Sequence, residues 1–179
     1  MVKRKINIDD HMGEIFARLR KGVLVTTSYA GKINTMTISW GALGIDWGVP
    51  VFTTYVRESR FTHMMLTENP EFTVNIPLSD DAGKILGFCG TKSGRDHDKI
   101  AELGLTPVTP EVISVPGLKE FPLTLECRVV YRQNQDMDSI PSRFVDKFYP
   151  DVRSGEGADA KDIHTAFYGE IVAAYIIGD

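Results

Sequence analysis

Residues Asn34–Asn75 read NTMTISWGALGIDWGVPVFTTYVRESRFTHMMLTENPEFTVN. Alternation runs through this stretch from its start to Leu43, and period two marks a strand, whose successive side chains face opposite sides. Ile33–Leu43 is therefore expected to be one strand. Gly44–Gly48 follows as a loop. Pro50 opens a second β-rich run, Val51–Val56, at a position where no ladder donor is yet required. Ser59 is a candidate N-cap for a helix from Arg60 to Glu68, because a serine oxygen can accept from the free amides of a first turn. Asn69-Pro70 ends that helix, and Glu71–Ile76 alternates again. Thr, Ser, Asn and Arg side chains are threaded through core-forming strands, which is the pattern of a ligand cradle.

Working outward, Val23–Thr27 is β-branched and reads as a strand. The turn Tyr29–Lys32, with Gly31 free to take a positive φ, joins it to Ile33 as a hairpin. His11–Leu19 has apolar residues at 12, 15, 16 and 19, a helical spacing that Gly22 breaks. Downstream, Asp80–Phe88 is helical in pattern and Cys89–Arg95 is a loop. Asp98–Leu103 is a short helix closed by Gly104. Thr109–Val115 reads as an edge strand and Phe121–Tyr131 as a long strand. Ser139–Phe148 is helical, with Pro141 acceptable in its first turn. Tyr149–Asp162 reads as a flexible loop, and Ala166–Ile177 as the last strand. Six or seven strands joined by short connections imply a largely antiparallel sheet. No βαβ rhythm recurs, which argues against a doubly wound fold. The expected fold is mainly β, a closed or split antiparallel barrel with short peripheral helices, forming a single domain over residues 1–179.

The 179 residues are 42% hydrophobic and 25% charged, with a formal net charge of −4. That composition fits a soluble globular protein and disfavours a nucleic-acid partner, while leaving room for a local basic pocket. Two cysteines, Cys89 and Cys127, make no disulfide framework and read as buried thiols of a reducing compartment. The basic N-terminus lacks an apolar segment after it, so no signal peptide is expected. No apolar run approaches the ~20 residues of a membrane span. A cytoplasmic location without a membrane partner is the expectation. His11, His63, His97 and His164 show no zinc-site spacing, and no metal is expected. Ser39 lies outside a Gly-x-Ser-x-Gly elbow, and no Gly-x-Gly-x-x-Gly dinucleotide fingerprint occurs.

Three segments carry candidate chemistry. Arg57, Ser59, Arg60 and Thr62 place two hydroxyls and two guanidiniums at a helix start, where amides and partial positive charge suit a phosphate. The same residues equally describe a capped surface helix with solvated arginines. Asn34 to Trp40 puts polar groups on both strand faces, as a flat heteroaromatic ligand would require, with Trp40 or Tyr55 covering its plane. A mid-sheet Thr/Ser run with a core Trp has the same pattern. The loop Cys89–Arg95 is either a basic flap over the ligand or an ordinary surface turn.

In order and spacing these pieces resemble the flavin reductase-like family with the FMN-binding split barrel, in particular its flavoredoxin branch. The residues that carry the resemblance are Asn34–Gly41, Tyr55–Thr62 and Asn69–Asn75. Cys89-Gly90, Ser93–Arg95, Asp98-Lys99, Leu125–Cys127 and Gly169–Val172 extend it over most of the chain. The resemblance implies FMN bound non-covalently at a homodimer interface. It further implies cofactor contacts from Asn34, Met36, Thr37, Ser39, Trp40, Thr54, Tyr55 and Arg57. Ser59, Arg60 and Thr62 correspond to its phosphate-binding residues, and Lys92 and Ser93 to the loop that reaches the cofactor. Phe167 and Tyr168 correspond to the aromatic position before the last strand, which a partner subunit supplies. His164 falls near a position close to the flavin in relatives, whereas Tyr131–Asp136 lacks a histidine of the family. No catalytic side chain is implied, because FMN itself carries the electron chemistry. The expected activity is NAD(P)H-dependent reduction of flavin or a flavin-linked acceptor. The alternatives are an electron-transfer flavoprotein fed by a redox protein partner and an FMN-binding protein without NAD(P)H turnover.

Overall fold

The computed structural model describes residues 1–149 and 162–178. In chain order its elements are β1 (Val2–Lys5), α1 (Met12–Lys21), β2 (Val23–Tyr29), β3 (Lys32–Ile38), β4 (Gly41–Asp46) and β5 (Val49–Arg57). Next come α2 (Phe61–Glu68), β6 (Glu71–Ile76), α3 (Gly83–Thr91), α4 (Lys99–Leu103), β7 (Pro107–Val108) and β8 (Gly117–Leu118). The last are β9 (Leu123–Asn134), α5 (Ser142–Phe148) and β10 (His164–Gly178).

One antiparallel sheet runs in the order β3-β2-β6-β9-β10-β5-β4, with β1 added on β10. β10 is the spine. It pairs with β9 over most of its length, with β5 from His164 to Glu170, and with β1 from Tyr175 to Gly178. The two outermost strands, β3 and β4, are consecutive in the chain and separated by only Ser39 and Trp40. A sheet whose two edges are two residues apart must curl back on itself. It does so without a ladder between β3 and β4, which makes the antiparallel split barrel expected from the sequence. Right-handed strand twist supplies the curl. The interior is filled by β-strand side chains, among them Val25, Phe52, Phe72, Val74, Leu125 and Phe167, all fully buried.

Close backbone approach fixes two glycines. A Cβ on Gly41 would lie 3.1 Å from the Thr53 carbonyl oxygen, a tight contact that a glycine avoids where β4 starts against β5. Gly169 lies at a register shift between β10 and β9. A Cβ there would meet the Phe72 ring at 2.6 Å and the Cys127 Cβ at 2.8 Å.

Several boundaries differ from the expectation, each for a local reason. The alternating run Ile33–Leu43 is two strands on opposite edges of the sheet, and the expected loop at Gly44 continues β4 as far as Asp46. The tight turn is Asp46–Val49, with Trp47 and Gly48 both at positive φ. Ser59 does not cap α2. Arg60 stands at that position, and the Ser59 hydroxyl is engaged elsewhere. Cys89 to Thr91 form the last turn of α3 rather than a loop. Thr109–Val115 makes no strand, because the amides of Glu111, Val112 and Ile113 donate to the buried Glu126 carboxylate at 2.6, 2.8 and 3.2 Å. The Tyr175 hydroxyl donates to the same carboxylate at 2.8 Å. Gly104 closes α4 in the left-handed region, as expected, while Asp98 is the N-cap of that helix rather than its first residue. Of the loop expected over Tyr149–Asp162, residues 150–161 lie outside the described residues.

Candidate functional site

The split between β3 and the β5–α2 corner opens two adjoining cavities that share Met36, Thr37 and Arg60. The first, about 170 Å³, lies between β3, the start of α2 and the segment after α3. Asn34, Ser59, Arg60 and Thr62 line one side of it; Lys92, Ser93, Gly94, Arg95 and Lys99 line the other. Among the described residues its wall holds four cationic side chains and no carboxylate. In a chain of net charge −4, that concentration of one sign is a local field built for an anion.

The polar chemistry of this cavity is directional. Asn34 is buried and its Nδ2 donates to the Thr62 Oγ at 2.9 Å. Thr62 keeps its own hydroxyl hydrogen for another acceptor. The Asn34 Oδ1 is buried without a partner among the described residues, and a buried unpaired oxygen is costly unless something donates to it. The first amides of α2 have no intrahelical acceptor. Lys99 is almost fully buried and donates to the carbonyls of Thr35 and Cys89 at 2.9 and 3.1 Å. Those bonds tie α4 and α3 to β3, and burial lowers the ammonium from its ordinary value. Arg95 donates to the Ser59 carbonyl at 2.8 Å and lies over the Phe61 ring, with Lys32 also on that ring. Lys32 holds the segment in place by donating to the Gly94 carbonyl.

The second cavity, about 300 Å³, is walled by Met36, Thr37, Ile38, Ser39, Trp40 and Tyr55, with Arg57, Phe148 and His164 across from them. Trp40 stands between Phe148, edge to face at 4.9 Å, and His164 at 5.0 Å. Arg57 fixes this side by donating to the carbonyls of Phe148 and Asp162, each at 2.7 Å. The Tyr149 hydroxyl donates to Gln135 at 2.8 Å and lies 2.6 Å from His164 Nδ1. A tyrosine has one hydroxyl hydrogen. With it given to Gln135, His164 donates from Nδ1 and keeps Nε2 as an acceptor. Burial first, then the nearby Arg57, pushes the His164 pKa down to about 4, so the ring is neutral near pH 7.

Of the residues singled out in the sequence, Asn34, Met36, Thr37, Ser39, Trp40, Tyr55, Arg57, Ser59, Arg60, Thr62, Lys92 and Ser93 line these two cavities. The Thr37 hydroxyl is committed to the Leu86 carbonyl at 2.6 Å. Three lie elsewhere. Thr54 is buried with its hydroxyl unpaired among the described residues, and Phe167 points into the barrel against His63. Tyr168 lies on another face beside Tyr131. Lys99, Arg95, Gly94 and Phe148 were not singled out as site residues. Asp98-Lys99 and Ser93–Arg95 were visible as motif pieces, but nothing in the spacing turns a helix-start lysine inward. Cys89 borders the first cavity as a thiol that burial raises to about 11, and burial inside the barrel also pushes the Cys127 thiol well up. Among the described residues no cluster of three metal-ligating side chains occurs, and no helix is long and apolar enough to cross a membrane.

A cationic cavity and an aromatic-walled cavity thus adjoin at the seam of a split barrel. The chain belongs to the flavin reductase-like family: the family's profile, described as "Flavin reductase like domain", matches residues 16–179. Among solved structures, flavoredoxin of Desulfovibrio vulgaris (Miyazaki F) superimposes with a TM-score of 0.65 at 25% identity, over 87% of this chain and 69% of that one. Flavoredoxin from Methanosarcina acetivorans does so with a TM-score of 0.64 at 27% identity, over 87% and 68%. An uncharacterized protein of Archaeoglobus fulgidus is 35% identical over 102 residues, which span 55% of each protein.

Proposed function

We propose that this protein is an FMN-binding oxidoreductase that uses NAD(P)H to reduce flavin or a flavin-linked acceptor, with FMN held at a homodimer interface. The observation that carries the proposal is the cavity lined by four cations, with no carboxylate among the described residues, adjoining one walled by Trp40, Tyr55 and Met36. A phosphate, a polyol and a planar ring in series fit that sequence of environments. Arg60, Lys92 and Thr62 would hold the phosphate, together with the first amides of α2. Asn34, which lines the same cavity, would border the polyol. Trp40 and Tyr55 would cover the ring. The bound flavin supplies hydride and single-electron transfer. The protein orients it and presents a neutral His164 to the ring cavity.

A homodimer is supported by the surface around the β4–β5 turn. Ile45, Trp47 and Tyr131 are exposed there, and the Trp47 ring meets Tyr131 edge to face at 6.3 Å. Tyr168 adjoins the same group. Exposed apolar patches of this kind mark interfaces.

The test begins with the visible spectrum of the purified protein and an FMN titration. A colourless protein that fails to bind FMN at micromolar concentration overturns the proposal. Anaerobic stopped-flow with NADH and NADPH then follows bleaching of the flavin band. The flavoredoxin likenesses favour a second reading, an electron carrier fed by a protein. That reading predicts no bleaching with either nucleotide and rapid bleaching with a ferredoxin-type donor.

A further inference from the structure

We propose that Asp162 is an internal competitor for the phosphate end of the site and sets how strongly the protein prefers a phosphorylated flavin. The inference rests on the flavin assignment above. Ser59 lines the cationic cavity, yet both of its donors are turned to Asp162. Its backbone N–H donates to one carboxylate oxygen at 3.0 Å and its hydroxyl to the other at 2.9 Å. An amide and a hydroxyl converging on two oxygens is the arrangement a phosphate would seek at this corner, and a side-chain carboxylate holds it.

The carboxylate is held there by the backbone. Arg57 donates to the Asp162 carbonyl at 2.7 Å and lies 3.9 Å from its carboxylate. The Glu58 N–H donates to the Ile163 carbonyl at 3.1 Å, which extends the β5–β10 register to this point. Asp162 is thus a fixed negative charge beside a wall whose charged side chains, among the described residues, are all cations. A phosphate in the cavity either takes the Ser59 donors from it or binds beside a like charge. Both routes weaken phosphate binding, and neither affects a flavin that lacks phosphate. The neutral Asp162→Asn variant removes the charge while keeping shape.

The experiment measures FMN and riboflavin binding by quenching of flavin fluorescence, in the wild type and in Asp162→Asn, with thermal unfolding as a check of folding. The wild type is expected to prefer FMN. Asp162→Asn is expected to tighten FMN by about five- to fiftyfold, the scale of one nearby like charge in a partly screened site, with riboflavin changed less than about twofold. Inorganic phosphate is expected to raise the unfolding temperature of the variant at lower concentration than that of the wild type. In a Ser59→Ala background the gain from Asp162→Asn is expected to shrink, because one of the two contested donors is gone. An Asp162→Asn variant that binds FMN no better, or shifts both flavins equally, overturns the competitor role while the flavin assignment stands. A wild type that binds neither flavin overturns the assignment itself, and the competitor role with it.

Discussion

Gly94 packs against Asn34 so closely that a Cβ at position 94 would lie 2.1 Å from the Asn34 Oδ1 and 2.9 Å from the Phe61 ring. The missing side chain lets the segment after α3 close one wall of the cationic cavity. It also leaves the Asn34 amide free to donate to Thr62. Gly94→Ala must push the segment away or rotate the amide. Overpacking of this kind costs about 1–3 kcal/mol. The expected result is a lower unfolding temperature together with weaker FMN binding. Unchanged binding in a folded Gly94→Ala protein would remove the segment from the cofactor site.

Gly169 serves the barrel and not the cavity. Its Cβ would overlap the Phe72 ring at 2.6 Å and Cys127 at 2.8 Å, both in the packed interior. Gly169→Ala is expected to destabilise the fold by about 1–3 kcal/mol or more, read as a shift in the urea midpoint. The FMN affinity of the fraction that remains folded is expected to be unchanged.

Much of the barrel could be read from the chain before its geometry was seen, because strands such as Glu71–Ile76 and Ala166–Ile177 are β-branched and bounded by turn residues. The break at Ser39-Trp40 could not. Alternation continues across it, and what changes is the partner strand, a property of distant residues. Thr109–Val115 looked like a strand for a similar reason: its amides go to Glu126, a carboxylate whose inward position no local pattern reveals. At the site, the hydroxyls and arginines of residues 57–62 were legible because they are contiguous. Lys99 and Asp162 were not, since each meets the site only through the fold.

His164 gives the stability a pH signature. Its folded pKa is about 4, below the ordinary 6.5, because burial and Arg57 disfavour the charged ring. The unfolded chain therefore binds this proton at higher pH than the native protein does. The stabilising contribution is full above about pH 6.5 and is lost as pH falls through that value toward 4. A urea midpoint followed over that window is expected to fall with acid, and to fall less steeply in His164→Gln. Equal slopes in the two proteins would show that the ring titrates normally in the native state.

Trp47 sits at positive φ on the tip of the β4–β5 turn, is exposed, and has its N–H held by the Asp46 carboxylate at 2.9 Å. A bulky residue in that conformation is uncommon, and an exposed tryptophan there gains nothing from its own core. Trp47→Glu is expected to convert a dimer to a monomer in light scattering, because an interface core does not accept an unpaired charge. A monomeric wild type, or a dimeric variant, would place the interface elsewhere or remove it.

Arg60 separates the charged end of the ligand from the flat end. It lines both cavities and precedes the first turn of α2, where its guanidinium adds to the free amides. A hydrogen bond to a charged group contributes about 1.5–3 kcal/mol, which is roughly a ten- to hundredfold change in affinity. Arg60→Ala is therefore expected to weaken FMN by about that factor, while riboflavin, which lacks the phosphate, loses much less. The weakening should diminish as salt is raised, since the lost term is electrostatic and the cavity mouth is open to solvent. Isothermal titration with both flavins at two ionic strengths reads all of this. Equal losses for FMN and riboflavin would mean that Arg60 shapes the ring cavity instead, and the phosphate would then have to be assigned to Lys92 and Arg95 across the cavity.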